Sequence, residues 1–241
     1  KMAVTFPYMI FFFGYQALTI DFGNRIDLAI HEEVMARYQD WKANPIPGAL
    51  ELIPAYSSIT VYYQVPAPVK IHAGQTIFEW MKAMIEQRMK MPAGQSIAEK
   101  KLHRIPVCYD PALVPELIQH AHYCRLQPEA LVALHTEKIY TIYMLGFLPG
   151  FPYMGEVDEQ IALPRKASPV PVPAGAVGIA GRQTGIYPLS SQGGWSLIGQ
   201  TPAKLFDTSL DTPTFLKAGD QVEFYSISLS KYKAWKEDAG Q

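Results

Sequence analysis

The hydrophobic pattern divides the chain into two halves of different rhythm. Between Lys1 and Asp21 the sequence carries no charge, and the run from Ala3 to Ile20 is almost wholly apolar. Pro7, Gly14 and Gln16 interrupt it, and Phe, Tyr, Ile, Val and Thr favour extended backbone, so it reads as two strands turning at Gly14–Tyr15. A membrane helix would need about 20 uninterrupted apolar residues, and no cleavage-site pattern follows as in a signal peptide. Ile26, Ala29, Ile30, Val34 and Tyr38 then recur at helical spacing and predict a helix over 26–42, capped by Asn24 or Asp27 and ended by Asn44–Pro45 and Pro47–Gly48. Two strands, 49–53 and 58–65, precede a second helix over 76–89 with Ile77, Met81, Met84 and Ile85 on one face. The methionines at that spacing are core filler. The order strand, strand, helix, strand, strand, helix predicts an α+β sandwich over residues 1–98, with helices on one face of an antiparallel sheet.

The polar stretch 91–101, with its Pro and Gly, reads as a linker. A second domain is expected over 103–237. It opens with a strand at 104–109 and two short helices, 110–124 and 127–134, the first with Asp110–Pro111 as its N-cap and first-turn proline. From Ile139 the rhythm changes to runs of three to ten residues punctuated by Gly and Pro: TIYMLGF, LPR, VPAGAVGIAG, GIYPL, WSLIG, LFD and QVEFYSI. Many short strands with frequent turns predict a β-barrel or closed sandwich, so the fold class is α+β followed by a barrel. The polar tail from Ser230 reads as frayed or as a short helix.

Composition excludes several classes of function. With 21 basic and 22 acidic residues the formal charge is −1, which leaves no basic excess for a phosphate backbone and no polybasic run for anionic lipid. Nucleic acid and membrane are therefore not expected partners. The two cysteines, Cys108 and Cys124, are too few for a disulfide scaffold, and a cytoplasmic location is expected. There is no G-x-x-x-x-G-K-[ST] phosphate loop, no G-x-S-x-G elbow and no kinase signature.

Three blocks concentrate the chemistry. In GFLPGFPYMG, residues 146–155, glycines allow close backbone approach and prolines pre-set the loop, which suits either a pocket wall or a tight aromatic turn. In VPAGAVGIAGRQTGIYP, residues 172–188, Arg182, Gln183 and Thr184 stand at a turn; Arg182 or Arg165 could supply a bidentate partner for a carboxylate or phosphate. In SSQGGWSLIGQTP, residues 190–202, Trp195 follows two glycines and serves either as a stacking surface or as core. His135 precedes the barrel strands as a general base, a ligand-holding donor or plain hydrogen-bonded structure. His120, His122 and Cys124 form an H-x-H-x-C cluster that would need more ligands to hold a metal.

Taken in order, LHT…YMLGFLPGFPYMG…LPR…VPAGAVGIAGRQTGIYP…GGW…IGQTP…LFD closely resembles the B subunit of the bacterial three-part 5-oxoprolinases. That family includes the KipI-type inhibitors of sporulation histidine kinases and has often carried the label allophanate hydrolase subunit 1. The N-terminal half agrees more loosely, through ALTIDFG, Pro47–Gly48 and ELIPAYSSITVYY. The resemblance implies a C-terminal cyclophilin-like β-barrel and partnership with homologues of the C and A subunits. It further implies ATP-dependent opening of the 5-oxoproline lactam to glutamate, with ATP acting through the assembled complex, or alternatively the binding of a histidine kinase. Carried over residue by residue, it implies catalytic roles for His135 (proton transfer or substrate orientation), Arg165 (facing a carboxylate or phosphate) and Gln183 (bonding a substrate amide or carboxylate). It implies substrate contacts at Phe147, Pro149, Gly150, Thr184, Tyr187 and Trp195. The chain departs from the family pattern at Val170 and Gln200, where a basic residue is usual.

Overall fold

A computed structural model describes residues 6–64, 74–93 and 100–238. The chain divides into two compact units, Lys1–Glu99 and Lys100–Gln241. Strand-forming residues at the start of the first unit give β1 (Met9–Phe12) and β2 (Ala17–Asp21), joined through Gly14, whose φ of +71° favours glycine. Helix α1 (Leu28–Ala43) follows, then β3 (Ala49–Pro54), β4 (Ser58–Tyr63) and α2 (Ile77–Met89). The sheet order is β1-β2-β4-β3, with every neighbouring pair antiparallel. Leu18 and Ile20 of β2 and Ile59 and Val61 of β4 alternate onto one face, where they pack with Ile30, Val34, Trp41, Met81 and Ile85 of the helices.

Local chemistry sets the helix ends. Asp27, rather than Asn24, caps α1: its Oδ1 accepts from the backbone N–H of Ala29 at 2.9 Å and of Ile30 at 3.2 Å, so the helix starts two residues later than the apolar spacing alone predicts. Thr76 caps α2 in a reciprocal box, accepting from Glu79 N–H at 3.1 Å while Glu79 Oε2 accepts from Thr76 N–H at 2.8 Å. Most of the expected linker, and the end of the strand expected over 58–65, lie outside the described residues.

The second unit begins with β5 (Leu102–Cys108), α3 (Glu116–Tyr123), α4 (Pro128–Thr136), β6 (Ile139–Leu145) and β7 (Pro152–Gly155). It continues with β8 (Val170–Val172), β9 (Ala176–Ala180), β10 (Gln183–Ile186), β11 (Ser191–Gly193), β12 (Ser196–Gln200), β13 (Gln221–Ile227) and α5 (Leu229–Asp238). Seven strands close a barrel in the order β10-β7-β6-β13-β5-β12-β9, and β11 and β8 form a separate two-stranded ribbon. The α+β class and the closed barrel are as expected. The barrel pairs are antiparallel except β13 with β5, which run parallel from Gln221↔Leu102 to Ile227↔Cys108. Ile105, Val107, Ile142, Met154, Val177, Ile179, Ile198 and Phe224 fill the interior, with Leu117 and Leu131 of the helices joining the same cluster.

Three expected elements differ. The helix expected over 110–124 begins only at Glu116: the Asp110 carboxylate accepts from Ala112 N–H at 2.9 Å, its carbonyl accepts from Leu113 and Val114, and Pro115 has no N–H to extend that turn into the helix. Of LPR, only Leu163 makes a bridge, to Gly181. LFD, 205–207, forms no strand; the Asp207 carboxylate caps a turn by accepting from Ser209 N–H at 3.0 Å.

Candidate functional site

Strand β10 divides the residues singled out in the sequence between two faces. Its side chains alternate, so Thr184 enters the barrel while Gln183 and Gly185 face the other way. Inside, Thr184 is fully buried; its hydroxyl donates to Gly178 O at 3.1 Å and lies 2.9 Å from His135 Nε2. Because that hydroxyl is already donating, His135 carries its proton on Nε2 and accepts from Tyr109 Oη through Nδ1, again at 2.9 Å. The ring stacks on Phe224 at 4.8 Å and has no exposed surface. Burial pushes its pKa down from 6.5 to about 3, with His120 adding to the fall. His135 is therefore a neutral, fully bonded member of the barrel interior, holding Tyr109 and β10 in register. His120 is similarly engaged, its Nε2 donating to Ile161 O and its Nδ1 accepting from Ser196 Oγ, both at 2.9 Å. Among the described residues no three His, Cys, Asp or Glu side chains group to hold a metal ion.

Outside, the aromatics of the three glycine-rich blocks assemble into one wall. Phe151 is its centre, 4.8 Å from Tyr153, 5.1 Å from Tyr187 and 5.4 Å from Trp195 between ring centroids, the last two edge-on. Glycine makes these approaches possible: a Cβ on Gly185 would lie 2.8 Å from the Phe151 ring, and one on Gly193 2.7 Å from Tyr187 Cζ. Phe147 caps the wall. It is 58% exposed, holds a φ of +67°, and meets Phe151 edge-on at 5.8 Å and Tyr187 at 6.4 Å. A bulky residue held in the left-handed region at a cost of about 1–3 kcal/mol marks a loop shaped for a purpose other than stability. The loop owes its shape to Gly150, φ +79°, where a Cβ would press on Phe206; Pro149 stands exposed beside it.

The two candidate arginines separate cleanly. Arg182, at the turn between β9 and β10, is occupied by Glu156 at 2.8 Å and Glu159 at 3.1 Å. Arg165 makes no ion pair among the described residues, and its stem runs against Gly194. Its charge reaches the wall: burial raises the phenols of Tyr153 and Tyr187, and Arg165 draws both partly back down. Thus Phe147 and Arg165 are exposed at the edge of a buried cluster that contains Tyr187 and Trp195, Gln183 stands on the outward face of β10, and His135 and Thr184 lie inside the barrel. Phe151 and Tyr153 were not singled out in the sequence, although their i, i+2 spacing placed both on one strand face.

A family model for the carboxyltransferase domain, subdomain C and D, matches residues 8–216. The chain is 42% identical over 240 residues to the 5-oxoprolinase B subunit of Bacillus subtilis, covering 98% of this chain and all of that one. The chain belongs to the 5-oxoprolinase B-subunit family. Among solved structures, this B-subunit relative resembles TTHA0988 with a TM-score of 0.74 and 33% identity, over 88% of this chain and only 40% of that longer one. It shares the fold of the Kluyveromyces lactis urea carboxylase (TM-score 0.70, 16% identity), over 92% of this chain and 22% of that chain. Among the described residues of this B-subunit family member, no helix is long and apolar enough to cross a membrane.

Proposed function

We propose that this chain is the B subunit of an ATP-dependent 5-oxoprolinase, contributing part of the site at which the lactam of 5-oxo-L-proline is opened to L-glutamate. The observation that carries the reading is Arg165, without an ion-pair partner among the described residues, at the edge of an aromatic wall. A small flat ring bearing one carboxylate has the matching shape and charge: the ring packs against the exposed Phe147, which the buried Tyr187 backs edge-on, and the carboxylate meets the guanidinium. Gln183, on the same face, is placed to bond the lactam amide, and Pro149 and Gly150 set the loop that carries Phe147. His135 and Thr184 act one layer behind, holding β10 and through it the wall.

ATP fits this surface poorly. One exposed cation at this edge, Arg165, is far from the set of donors a triphosphate needs, and the sequence has no phosphate loop. ATP is accordingly assigned to the assembled complex, with homologues of the A and C subunits as partners. When bound there, it activates the lactam carbonyl for attack by water. An edge that offers one exposed aromatic, Phe147, and one exposed cation, Arg165, fits a share of a site completed by a partner chain. The kinase-inhibitor reading rests on the family resemblance alone.

The test is co-expression with homologues of the A and C subunits and measurement of glutamate released from 5-oxoproline and ATP. Turnover that requires all three chains, and that falls by at least tenfold in Arg165→Gln, is expected. An assembled complex without turnover would refute the proposal.

A further inference from the structure

Two charged residues that no sequence motif marks stand beside Arg165. Glu116, at the start of α3, places Oε1 2.6 Å from Lys166 Nζ, and the two side chains are 24% and 27% exposed. The Lys166 backbone N–H donates to Gly194 O at 2.8 Å. The same glycine gives Arg165 its path, since a Cβ there would lie 2.7 Å from Arg165 Nε. Gly194 thus holds the Lys166 backbone and leaves room for the Arg165 stem, bringing both cations to one edge of the wall. Two of these charges are felt there: Arg165 acts on Tyr153 and Tyr187, and Glu116 acts on Tyr187.

Counting charges at that edge gives two cations and one anion. Lys166 is committed to Glu116, and Arg165 has no partner among the described residues. We infer that Glu116 is a specificity-determining residue: by holding Lys166 it leaves Arg165 as the free cation of this edge, so the site accepts a monocarboxylate with a flat, uncharged body and disfavours dianions. The inference deepens the reading of this wall as a substrate site and rests on it. It also gives the site a direction. Hydrolysis of a lactam adds water across the C–N bond, leaving a new carboxylate and a new ammonium. The product therefore carries a second carboxylate that this edge has no free cation to receive, which favours its release.

The pair is partly exposed and contributes little to folding, so Glu116→Gln should leave the chain folded. The probes are 5-oxoproline and the dicarboxylate glutarate, with binding measured by equilibrium dialysis on the co-purified complex at low and high salt. Wild type is expected to prefer 5-oxoproline. In Glu116→Gln the ratio of glutarate to 5-oxoproline affinity should rise about five- to tenfold, the effect of one extra charge at a partly solvated site, and the rise should shrink with salt. Glu116→Gln/Lys166→Gln should return the ratio to the wild-type value. An unchanged ratio in the single variant, a rise that persists in the double variant, or a wild type that binds neither probe would each overturn the inference.

A second readout needs no ligand and uses the chain alone. Titration of Tyr187 by ¹³C NMR should shift downward in Glu116→Gln and upward in Arg165→Gln; no shift in Glu116→Gln would overturn the inference. Failure here is separable from failure of the proposed function. Turnover of 5-oxoproline with an unchanged affinity ratio removes the role of Glu116 and keeps the enzyme. The predicted ratio without turnover keeps the role and removes the enzyme.

Discussion

Gly193 and Gly194 offer a controlled comparison, because the same added methyl meets a rigid neighbour at one position and a yielding one at the next. Neither has a φ in the left-handed region, so alanine fits both backbones and gains about 0.4–1 kcal/mol through a less flexible unfolded chain. At Gly193 the new Cβ would lie 2.7 Å from Tyr187 Cζ and 2.8 Å from Cε1, and closer still to the phenol oxygen. Tyr187 is 1% exposed and packed edge-on against Phe151, so the ring has nowhere to go. Overpacking of that kind costs about 1–3 kcal/mol. Gly193→Ala should therefore destabilise the second unit by about 1–2 kcal/mol net. At Gly194 the nearest atoms belong to the exposed Arg165 side chain, which can swing aside. Gly194→Ala should leave stability unchanged or raise it by up to about 1 kcal/mol, while displacing the guanidinium and raising KM for 5-oxoproline in the assembled complex. Native-state hydrogen exchange on peptides covering 191–200 reads the ribbon strand β11 and the barrel strand β12. Equal protection in the two variants, or a loss above about 1 kcal/mol in Gly194→Ala alone, would refute the steric reasoning.

Other consequences are equally open to measurement. Because the folded pKa of His135 lies near 3 and the unfolded value near 6.5, the unfolded chain takes up this proton first; its contribution is complete above pH 6.5 and is lost as pH falls toward 3, with a slope of up to about 1.4 kcal/mol per pH unit, and His135→Gln should flatten acid unfolding followed by circular dichroism. Phe147→Gly should relieve the left-handed strain and raise barrel stability by up to about 1 kcal/mol in urea titrations, while weakening 5-oxoproline binding to the complex. Thr76→Ala should cost the first unit about 1 kcal/mol, seen as faster exchange of the amides at the start of α2 and unaltered exchange in the barrel.

Features that depend on neighbours along the chain could be read in advance. The helix over 76–89, the Asp27 cap that stood beside Asn24 as a candidate, and the strand rhythm after Ile139 are local signals and appear where expected. The helix placed too early at Asp110 shows the limit of that logic, since two prolines five residues or fewer apart can belong to a turn and a helix start in succession. The aromatic wall was half-legible: its glycine-rich blocks stood out, but the pocket and the tight turn fitted them equally well. What decided between Arg165 and Arg182 was long-range, because Glu156 and Glu159 reach Arg182 only once β7 pairs with β10. His135 was the hardest to read, since its partners Tyr109, Thr184 and Phe224 come from three separate strand regions. Glu116 and Lys166 carried no motif at all and became visible only through Gly194.

The parallel pairing of β13 with β5 has a consequence for how the protein is made. β13 stands between β5 and β6, and Glu223 meets Arg104 across a sequence separation of 119. On the ribosome, β5 and β6 emerge early and wait with bare edges until β13 follows, so the nascent barrel spends most of its synthesis unclosed. A fragment cut at residue 216, where the family match ends, would carry those two edges permanently, and would be expected to aggregate or to borrow the missing strand from another molecule.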